Sequence, residues 1–334
     1  MTAEEAVYQY FLEPTSISLK EFKGGAINTT YHLKVEENGS KKDYKFQKMN
    51  AIFDVSLMED IEFVTEHLFS KNIKTLKIVR TLKEEMFVRD EASWWRMFEY
   101  LPGNIFCSAE SLEQAKEAGR LVGILHTALL DCDYEFKFKL LHYHDADFDM
   151  EKLCTALSEN KNTDKYKQLK NLAEEILLSY EKLPKMTSLP KHIIHDDLKF
   201  NNILFDETAQ EALALIDIDT FTHGTIAVEL GDALRDWCMK GGEDAPVAHF
   251  DKEIYDTALR SYFVNAKFLT KEEKESIPYG VKLLTLELAA RFVTDAFNES
   301  YFKLDSSKYK NLFDQNKKKA ENQFSFFKEF SEVF

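Results

Sequence analysis

The chain has 334 residues and a formal net charge of −15, with 44% apolar and 13% aromatic side chains. This composition predicts a folded globular protein and excludes a largely disordered one. The acidic excess argues against nucleic acid as the main partner, because no broad cationic face remains to neutralise phosphates. Four cysteines without C-x-x-C spacing predict reduced thiols. No apolar run has transmembrane length, so we expect a cytoplasmic protein that does not contact a membrane.

The first hundred residues predict an antiparallel sheet with one inserted helix. Asn38-Gly39 is a strong signal for a two-residue hairpin turn. A helix is predicted over about 54–70, because its apolar residues recur on one face. Strands are predicted over 17–22, 28–35, 43–49, 76–82, 86–89 and 93–100.

A turn-forming cluster, Leu101-Pro102-Gly103-Asn104, ends this pattern, and mostly helical periodicity follows it. We therefore predict an N-terminal nucleotide-binding lobe over 1–100 and a C-terminal catalytic and acceptor-binding lobe over 101–334. Only the segment 192–220 interrupts the second lobe with strand-like character. Helices are predicted over 110–130, 164–183, 226–239, 252–266, 271–299 and 307–330.

The segment from His195 to Asn202 carries four polar side chains at fixed offsets, just before a short apolar run. It reads H-x-D-x-K-x-x-N, and Asp197 is the predicted catalytic base, since phosphoryl transfer needs a carboxylate that orients the acceptor hydroxyl. Lys199 is predicted to neutralise charge on the transferring phosphoryl group, with a solvated loop lysine as the alternative. His195 is interpreted as a structural side chain. The spacing predicts a small-molecule kinase.

Asp217 and Asp219 follow an apolar run, fifteen residues beyond Asn202. Asn202 and Asp217 offer the oxygen ligands that Mg²⁺ prefers, and Asp217 is the predicted principal ligand. Side chains two residues apart lie on the same side of an extended chain. Asp219 is therefore predicted to be a second metal ligand or the group that orients the first. The predicted cofactors are ATP and Mg²⁺.

Several residues of the first lobe are candidates for nucleotide binding. Gly24 and Gly25 would let main-chain N–H groups approach phosphates closely, although a plain hairpin turn is the simpler interpretation. Lys48 is the preferred phosphate ligand in the strand after the hairpin, and Lys45 is the alternative. A glutamate of the following helix should pair with the lysine. Glu59, Glu62 and Glu66 are the candidates, among which spacing does not choose.

The joint between the two lobes contains Glu99 and Leu101. In such a joint, main-chain groups can contact the adenine edge, so the identity of the side chains matters little. An ordinary interdomain linker is the alternative interpretation.

The catalytic segment and several further pieces are spread over almost the whole chain. The segment from His195 to Asn202 is similar to the catalytic loop of the aminoglycoside phosphotransferase-like superfamily, and Asp217 is similar to its metal-binding Asp. Within that superfamily the chain most resembles the N-acetylhexosamine 1-kinase branch. The matching pieces read GAINTTY (25–31), FQKMN (46–50), IDIDT (216–220), LGDALR (230–235), ARFVTD (290–295) and YF (301–302). The resemblance implies an α+β, bilobal protein-kinase-like fold, with a β-rich N-terminal lobe, one inserted helix and a larger α-rich C-terminal lobe.

The resemblance also implies an acceptor, namely an N-acetylated hexosamine that is phosphorylated on its anomeric hydroxyl. Arg291 is implied to lie close to this sugar. His144 and Asp145 are further candidate contacts, with a polar surface loop as the alternative. An aminoglycoside, a choline-like alcohol or another metabolite stays open as the acceptor. A catalytically silent kinase-like binding protein is disfavoured, because Asp197, Asn202 and Asp217 are all present. The choice of ATP over GTP, the number of metal ions and the oligomeric state also stay open.

Three positions depart from the pattern of the resemblance. Asp196 stands where Gly is common in the wider superfamily, Ala26 stands where a polar residue is frequent in this branch, and Glu229 stands where an Asp is typical. A protein kinase is disfavoured, because no Arg precedes Asp197, no D-F-G begins at Asp217 and no A-P-E segment follows.

Overall fold

The computed structural model describes residues 1–22, 27–91, 93–184, 188–245 and 247–334. Its N-terminal part is one antiparallel sheet with two helices. The elements are α1 (Ala3–Val7), β1 (Ser16–Glu21), β2 (Thr29–Glu37), β3 (Ser40–Met49), α2 (Leu57–Ser70), β4 (Phe87–Arg89) and β5 (Trp94–Glu99). The strands lie in the order β1-β2-β3-β5-β4. Asn38 and Gly39 both have positive φ, 53° and 76°, as the predicted tight hairpin between β2 and β3 requires.

The prediction of a strand over 76–82 is wrong. In the structure only Ile78 forms a bridge, and its partner is Phe98. The reason is that β4 pairs with residues 94–96 of β5, so this side of β5 is open only at its C-terminal end. The segment makes two further main-chain hydrogen bonds there, between Val79 and Met97 and between Glu99 and Lys77, both 2.9 Å long.

The C-terminal part is mainly helical, with short strands around the segment 192–224. Its elements are β6 (Asn104–Ile105), α3 (Leu112–Ala128), α4 (Ala146–Glu159), α5 (Asp164–Glu181), β7 (His192–Ile194), β8 (Ile203–Phe205), β9 (Ala212–Leu215), β10 (Thr222–Gly224), α6 (Ile226–Trp237), β11 (Met239–Lys240), β12 (His249–Phe250), α7 (Lys252–Asn265), α8 (Lys271–Asn298) and α9 (Leu312–Val333). The predicted helices are present, and α4 is an addition that the sequence did not predict. The predicted α+β fold, with a β-rich first lobe and a larger helical second lobe, is confirmed.

The largest apolar core joins the two lobes. It extends from the inner face of the sheet through α2 to α3, α6 and α7. A second core lies among α4, α5, α8 and α9, and a third lies between α1 and the outer face of the sheet. None of the helices in the described ranges has the length and apolar character needed to cross a membrane.

Candidate active site

The segment 195–202 forms a loop between β7 and β8 that a single glutamate of α6 holds. Glu229 accepts hydrogen bonds from the main-chain N–H groups of His195 (2.9 Å, at Oε1) and Asp196 (2.8 Å, at Oε2). His126 of α3 contacts the same Oε1 at 3.0 Å, and both side chains are fully buried. Asp196 has a φ of 65°, in the left-handed region that favours glycine. Glycine would adopt this backbone conformation without the steric cost that a side chain brings.

Asp197 is the carboxylate that this loop presents to solvent. Lys199 Nζ lies 2.7 Å from its Oδ1, and the Tyr143 hydroxyl lies 3.3 Å from the same oxygen. Asn202 Nδ2 donates to the Asp197 main-chain oxygen (2.8 Å) and to Oδ2 (3.1 Å), so the amide oxygen of Asn202 remains for another partner. Burial opposes the positive charge of Lys199, yet nearby carboxylates, first that of Asp197, keep the pKa of Lys199 above its usual value. The four side chains form one connected group.

Asp217 and Asp219 have different surroundings, although only one residue separates them. Asp217 is exposed, and within the described ranges its carboxylate has no hydrogen-bond or ion-pair partner. Surrounding protein atoms and then the charge of Asp219 raise the pKa of Asp217, and Lys45 opposes this effect. Asp219 is only 4% exposed and pairs with Arg96 of β5. Asp217 is thus the carboxylate that is available to a cation.

The loop and Asp217 suit a hard cation because they offer carboxylate and amide oxygens. Among the described residues, no cluster of three His, Cys, Asp or Glu side chains could hold a metal ion. Mg²⁺ does not need such a cluster, because proteins usually bind it through one or two carboxylates together with substrate phosphates and water.

The two candidate lysines lie on opposite faces of β3. Lys45 points towards the helical lobe and donates to the Ile216 carbonyl oxygen at 2.7 Å, next to Asp217. Lys48 lies on the other face, with its Nζ 5.4 Å from the centre of the Trp95 ring. Side chains three residues apart in a strand necessarily face opposite ways. The structure therefore brings Lys45, the alternative in the sequence, to the Asp217 side, and not the preferred Lys48.

The remaining nucleotide candidates of the first lobe lie apart from this group or are not described. The Glu59 carboxylate forms an exposed ion pair with Lys137 and so does not pair with either lysine. Gly24 and Gly25 lie outside the described residues. At the joint, the Glu99 side chain pairs with Lys77 at 2.9 Å, and Leu101 is half-buried. The adenine contact proposed for this joint would use main-chain atoms, which these side-chain contacts leave unchanged.

The candidate acceptor contacts separate into two groups. His144 lies under the loop, with Nε2 3.1 Å from the Asp196 carbonyl oxygen and Nδ1 3.2 Å from Glu287 Oε1. Burial lowers the pKa of His144, but the Glu287 hydrogen bond and nearby carboxylates outweigh this and raise it to about 9. Asp145 instead caps α4 by accepting from the Phe148 N–H at 3.1 Å. The structure therefore brings His144, and not Asp145, to the loop.

Arg291 of α8 lies near the same end of the site. Its Nη2 donates to the Tyr301 hydroxyl at 2.8 Å, and its guanidinium lies 5.1 Å from the Tyr301 ring centre. Its Nη1 is 4.0 Å from Glu287 Oε1. Burial raises the pKa of the neighbouring Asp149 to about 6, and the charge of Arg291 opposes that shift. The helical lobe thus places two cations and two carboxyl groups beyond Tyr143.

A cavity of about 310 Å³ lies beside the loop and is large enough for a small molecule. Phe138 and Phe221 contribute aromatic rings to its wall, and Tyr143, His144 and Asp196 connect it to the loop.

The two lobes have a kinase-like architecture, and the loop and Asp217 are the parts that the sequence predicted to carry phosphoryl transfer. A profile of the phosphotransferase enzyme family (APH) matches residues 18–262, and the chain belongs to that family. The predicted phosphotransferase and the predicted superfamily are thereby confirmed. Several solved structures are similar to the chain, among them the following three. The first is an aminoglycoside phosphotransferase from Alicyclobacillus acidocaldarius (14% identity, TM-score 0.64, covering 100% of this chain and 96% of that chain).

The second is a choline kinase from Cryptosporidium parvum Iowa II (14% identity, TM-score 0.62, covering 95% of this chain and 89% of that chain). The third is a microcompartment-associated aminopropanol kinase (18% identity, TM-score 0.64, covering 95% and 94%). At these identities the likeness establishes the fold, and it confirms the predicted protein-kinase-like architecture.

Sequence reasoning missed two residues that hold the site together. Arg96 lies within a strand of aromatic and apolar residues, and its partner Asp219 is 123 positions further along the chain. Glu229 was noticed only as a departure from Asp. A charged residue inside an otherwise apolar run was the available signal for Arg96, since such a side chain needs a buried partner.

Proposed function

We propose that the protein is an ATP- and Mg²⁺-dependent kinase of a small-molecule hydroxyl, and that its acceptor is an N-acetylated hexosamine phosphorylated on the anomeric oxygen. The proposal rests on one observation above all. Asp197 contacts Lys199 and Asn202 and is close enough to Asp217 to raise the pKa of Asp217, and Lys45 donates to the carbonyl oxygen next to Asp217. Phosphoryl transfer from a nucleotide needs this combination of a carboxylate, oxygen ligands and cations.

Each residue has a role in this proposal. Asp197 orients the acceptor hydroxyl and receives its proton, while Lys199 stabilises charge on the transferring group. Asn202 and Asp217 hold Mg²⁺, which neutralises the phosphate oxygens when it is bound. Lys45 contacts the phosphates, and main-chain atoms around Glu99 and Leu101 contact the base. Most of the rate enhancement would come from positioning and charge neutralisation.

The charges beyond Tyr143 favour an uncharged, hydroxyl-rich acceptor. Arg291 and the protonated His144 are cations, and Glu287 is the carboxylate between them. The Asp149 carboxyl, with a pKa of about 6, is only partly protonated near neutral pH. An ammonium group would meet both cations as well as the carboxylates, whereas sugar hydroxyls can donate to the carboxylates and accept from Arg291.

An amino alcohol or aminoglycoside is the second candidate, and one observation favours it. Glu287 Oε2 is buried and has no hydrogen-bond partner among the described residues. A buried carboxylate oxygen without a partner gains much from a cationic or donating ligand. Solved structures of similar fold are named as aminoglycoside, choline and aminopropanol kinases.

The test is ADP release with ATP and Mg²⁺ in the presence of N-acetylhexosamines, other sugars, aminoglycosides and amino alcohols. We expect acceptor-dependent ADP with an N-acetylhexosamine, and a phosphorus NMR spectrum that shows coupling to an anomeric proton. A product phosphorylated on an amino alcohol or aminoglycoside would replace the sugar assignment by the second candidate. ADP release that no acceptor stimulates would contradict the kinase proposal.

A further inference from the structure

The Asp219 side chain, in the helical lobe, contacts polar side chains of the first lobe. Its Oδ2 accepts hydrogen bonds from Arg96 Nη2 (2.7 Å) and Asn28 Nδ2 (3.3 Å), and its Oδ1 lies 2.7 Å from Arg96 Nη1. Arg96 is 1% exposed and Asp219 is 4% exposed. This is a buried ion pair between the two lobes.

Contacts within the sheet orient the Arg96 guanidinium, in addition to its contact with Asp219. Gln47 lies directly opposite Arg96 in the pairing of β3 with β5. Its Oε1 accepts from Arg96 Nε (3.0 Å) and Nη2 (2.9 Å), and its Nε2 donates to Thr30 Oγ1 at 2.9 Å. Three strands of one sheet therefore hold the guanidinium in place.

Two cationic side chains of the sheet, Lys45 and Arg96, thus contact the segment 216–219 on either side of Asp217. Lys45 donates to the carbonyl oxygen of Ile216, and Arg96 holds the carboxylate of Asp219. Asp217, between these two contacts, has no partner among the described residues. The flanking contacts fix its backbone, while its carboxylate stays free.

From this arrangement we infer that Arg96 is a positioning residue, which through Asp219 holds Asp217 where it binds the metal–nucleotide complex. This inference rests on the proposed function. Asp219 is then not a metal ligand. Its Oδ1 is buried from solvent, and its Oδ2 already accepts two hydrogen bonds.

Removing one partner of a buried ion pair leaves an uncompensated charge, so each single substitution should disturb the segment strongly. Because both partners act through one contact, their effects should not add. A metal ligand would behave differently, since its loss would remove metal binding whether or not Arg96 is present.

The experiment measures binding of a non-hydrolysable ATP analogue by calorimetry, with Mg²⁺ and with EDTA, and without an acceptor. We expect Arg96→Gln and Asp219→Asn each to weaken the Mg²⁺-dependent affinity about 10-fold, with the double variant no weaker than the weaker single variant. Affinity in EDTA should stay within about twofold of wild type, because the variants disturb only the metal-binding carboxylate of Asp217. A purely structural role would weaken both affinities equally, and that result would overturn the inference.

Arg80→Gln is the matched control, because Arg80 forms an exposed ion pair with Glu62 in the same lobe. It should bind like wild type. Arg96→Lys keeps the charge but not the two-pronged contact, so it supplies a folded variant if Arg96→Gln melts too early. We expect it to weaken the Mg²⁺-dependent affinity about threefold, and wild-type affinity in both Arg96→Lys and Asp219→Asn would overturn the inference.

The outcomes also separate the inference from the proposed function. If wild-type protein fails to bind the nucleotide analogue with Mg²⁺, the proposed function fails. If wild type binds and Asp219→Asn alone loses the metal-dependent part while Arg96→Gln keeps it, Asp219 is a metal ligand and only the inference is wrong.

Discussion

Lys45 and Lys48 lie three positions apart on one strand, and replacing each in turn with Met tests which of them is the phosphate ligand. Lys45 reaches the segment next to Asp217, whereas Lys48 lies against Trp95 on the opposite face. Met keeps the length and apolar stem of Lys and removes only the charge. The two variants are therefore matched controls for each other.

The magnitude follows from the contact that is lost. A hydrogen bond to a charged group contributes about 1.5–3 kcal/mol, which corresponds to roughly a 10- to 100-fold change. We expect Lys45→Met to lower kcat/KM for ATP by that factor. Lys48→Met should stay within about twofold, because Lys48 lies on the face away from Asp217 and its loss removes only a cation–π contact within the first lobe.

The assay is initial-rate ADP release at varied ATP with saturating acceptor, together with thermal melting of each variant. Burial, followed by the charge of Arg96, lowers the pKa of Lys45, and Asp217 opposes that shift. Thermal melting shows whether loss of the amine, and of its contact with the Ile216 carbonyl oxygen, destabilises the fold. A larger loss of kcat/KM in Lys48→Met than in Lys45→Met would refute the assignment by strand face.

Three further substitutions test the loop, its charge and the helix packing. Glu229→Gln replaces an accepting oxygen by an NH₂ group that faces a main-chain N–H, so kcat should fall at least 10-fold; an unchanged kcat would argue against this anchor. The pKa of His144 is about 9 in the folded protein, above its ordinary 6.5. The contribution of its charge to folding stability is therefore complete below pH 6.5 and is lost as the pH rises through 9. The melting temperature of wild type relative to His144→Gln should fall over that window, and parallel curves would contradict the charge state. In Gly280→Ala the new Cβ would lie 1.7 Å from the Ala227 carbonyl oxygen, so the free energy of unfolding should drop by about 1–3 kcal/mol or more. The control Gly39→Asn, at a turn with open space around it, should cost little. Equal stability of the two variants would count against this packing.

The local patterns of the sequence predicted the elements that depend on local residues. The hairpin at Asn38-Gly39 and the helix α8 follow from turn chemistry and helical periodicity, and both are present. The helix α4 was missed because its acidic start resembles a solvated loop, although Asp145 is its cap. A capping residue followed by apolar residues at helical spacing was the usable signal.

The site residues that sequence reasoning did not resolve depend on contacts far apart in the chain. Strand periodicity separates Lys45 from Lys48, but it does not say which face meets the helical lobe. That choice is made by α1, which packs on the outer face with Phe46 and Trp95. The role of Asp219 also depends on a distant contact, because its partner Arg96 lies in the other lobe. The sequence alone therefore does not show that Asp219 and Asp217 have different roles.

Turnover of Asp197→Asn with its acceptor tests the central proposal most directly. The variant keeps the shape of the side chain and removes the carboxylate that accepts the hydroxyl proton, and Asp164→Asn, at an 88% exposed side chain, is the matched control. We predict that kcat falls at least 100-fold while affinity for the Mg²⁺–nucleotide complex stays within about threefold. Wild-type turnover in Asp197→Asn would contradict the assignment of this carboxylate as the catalytic base.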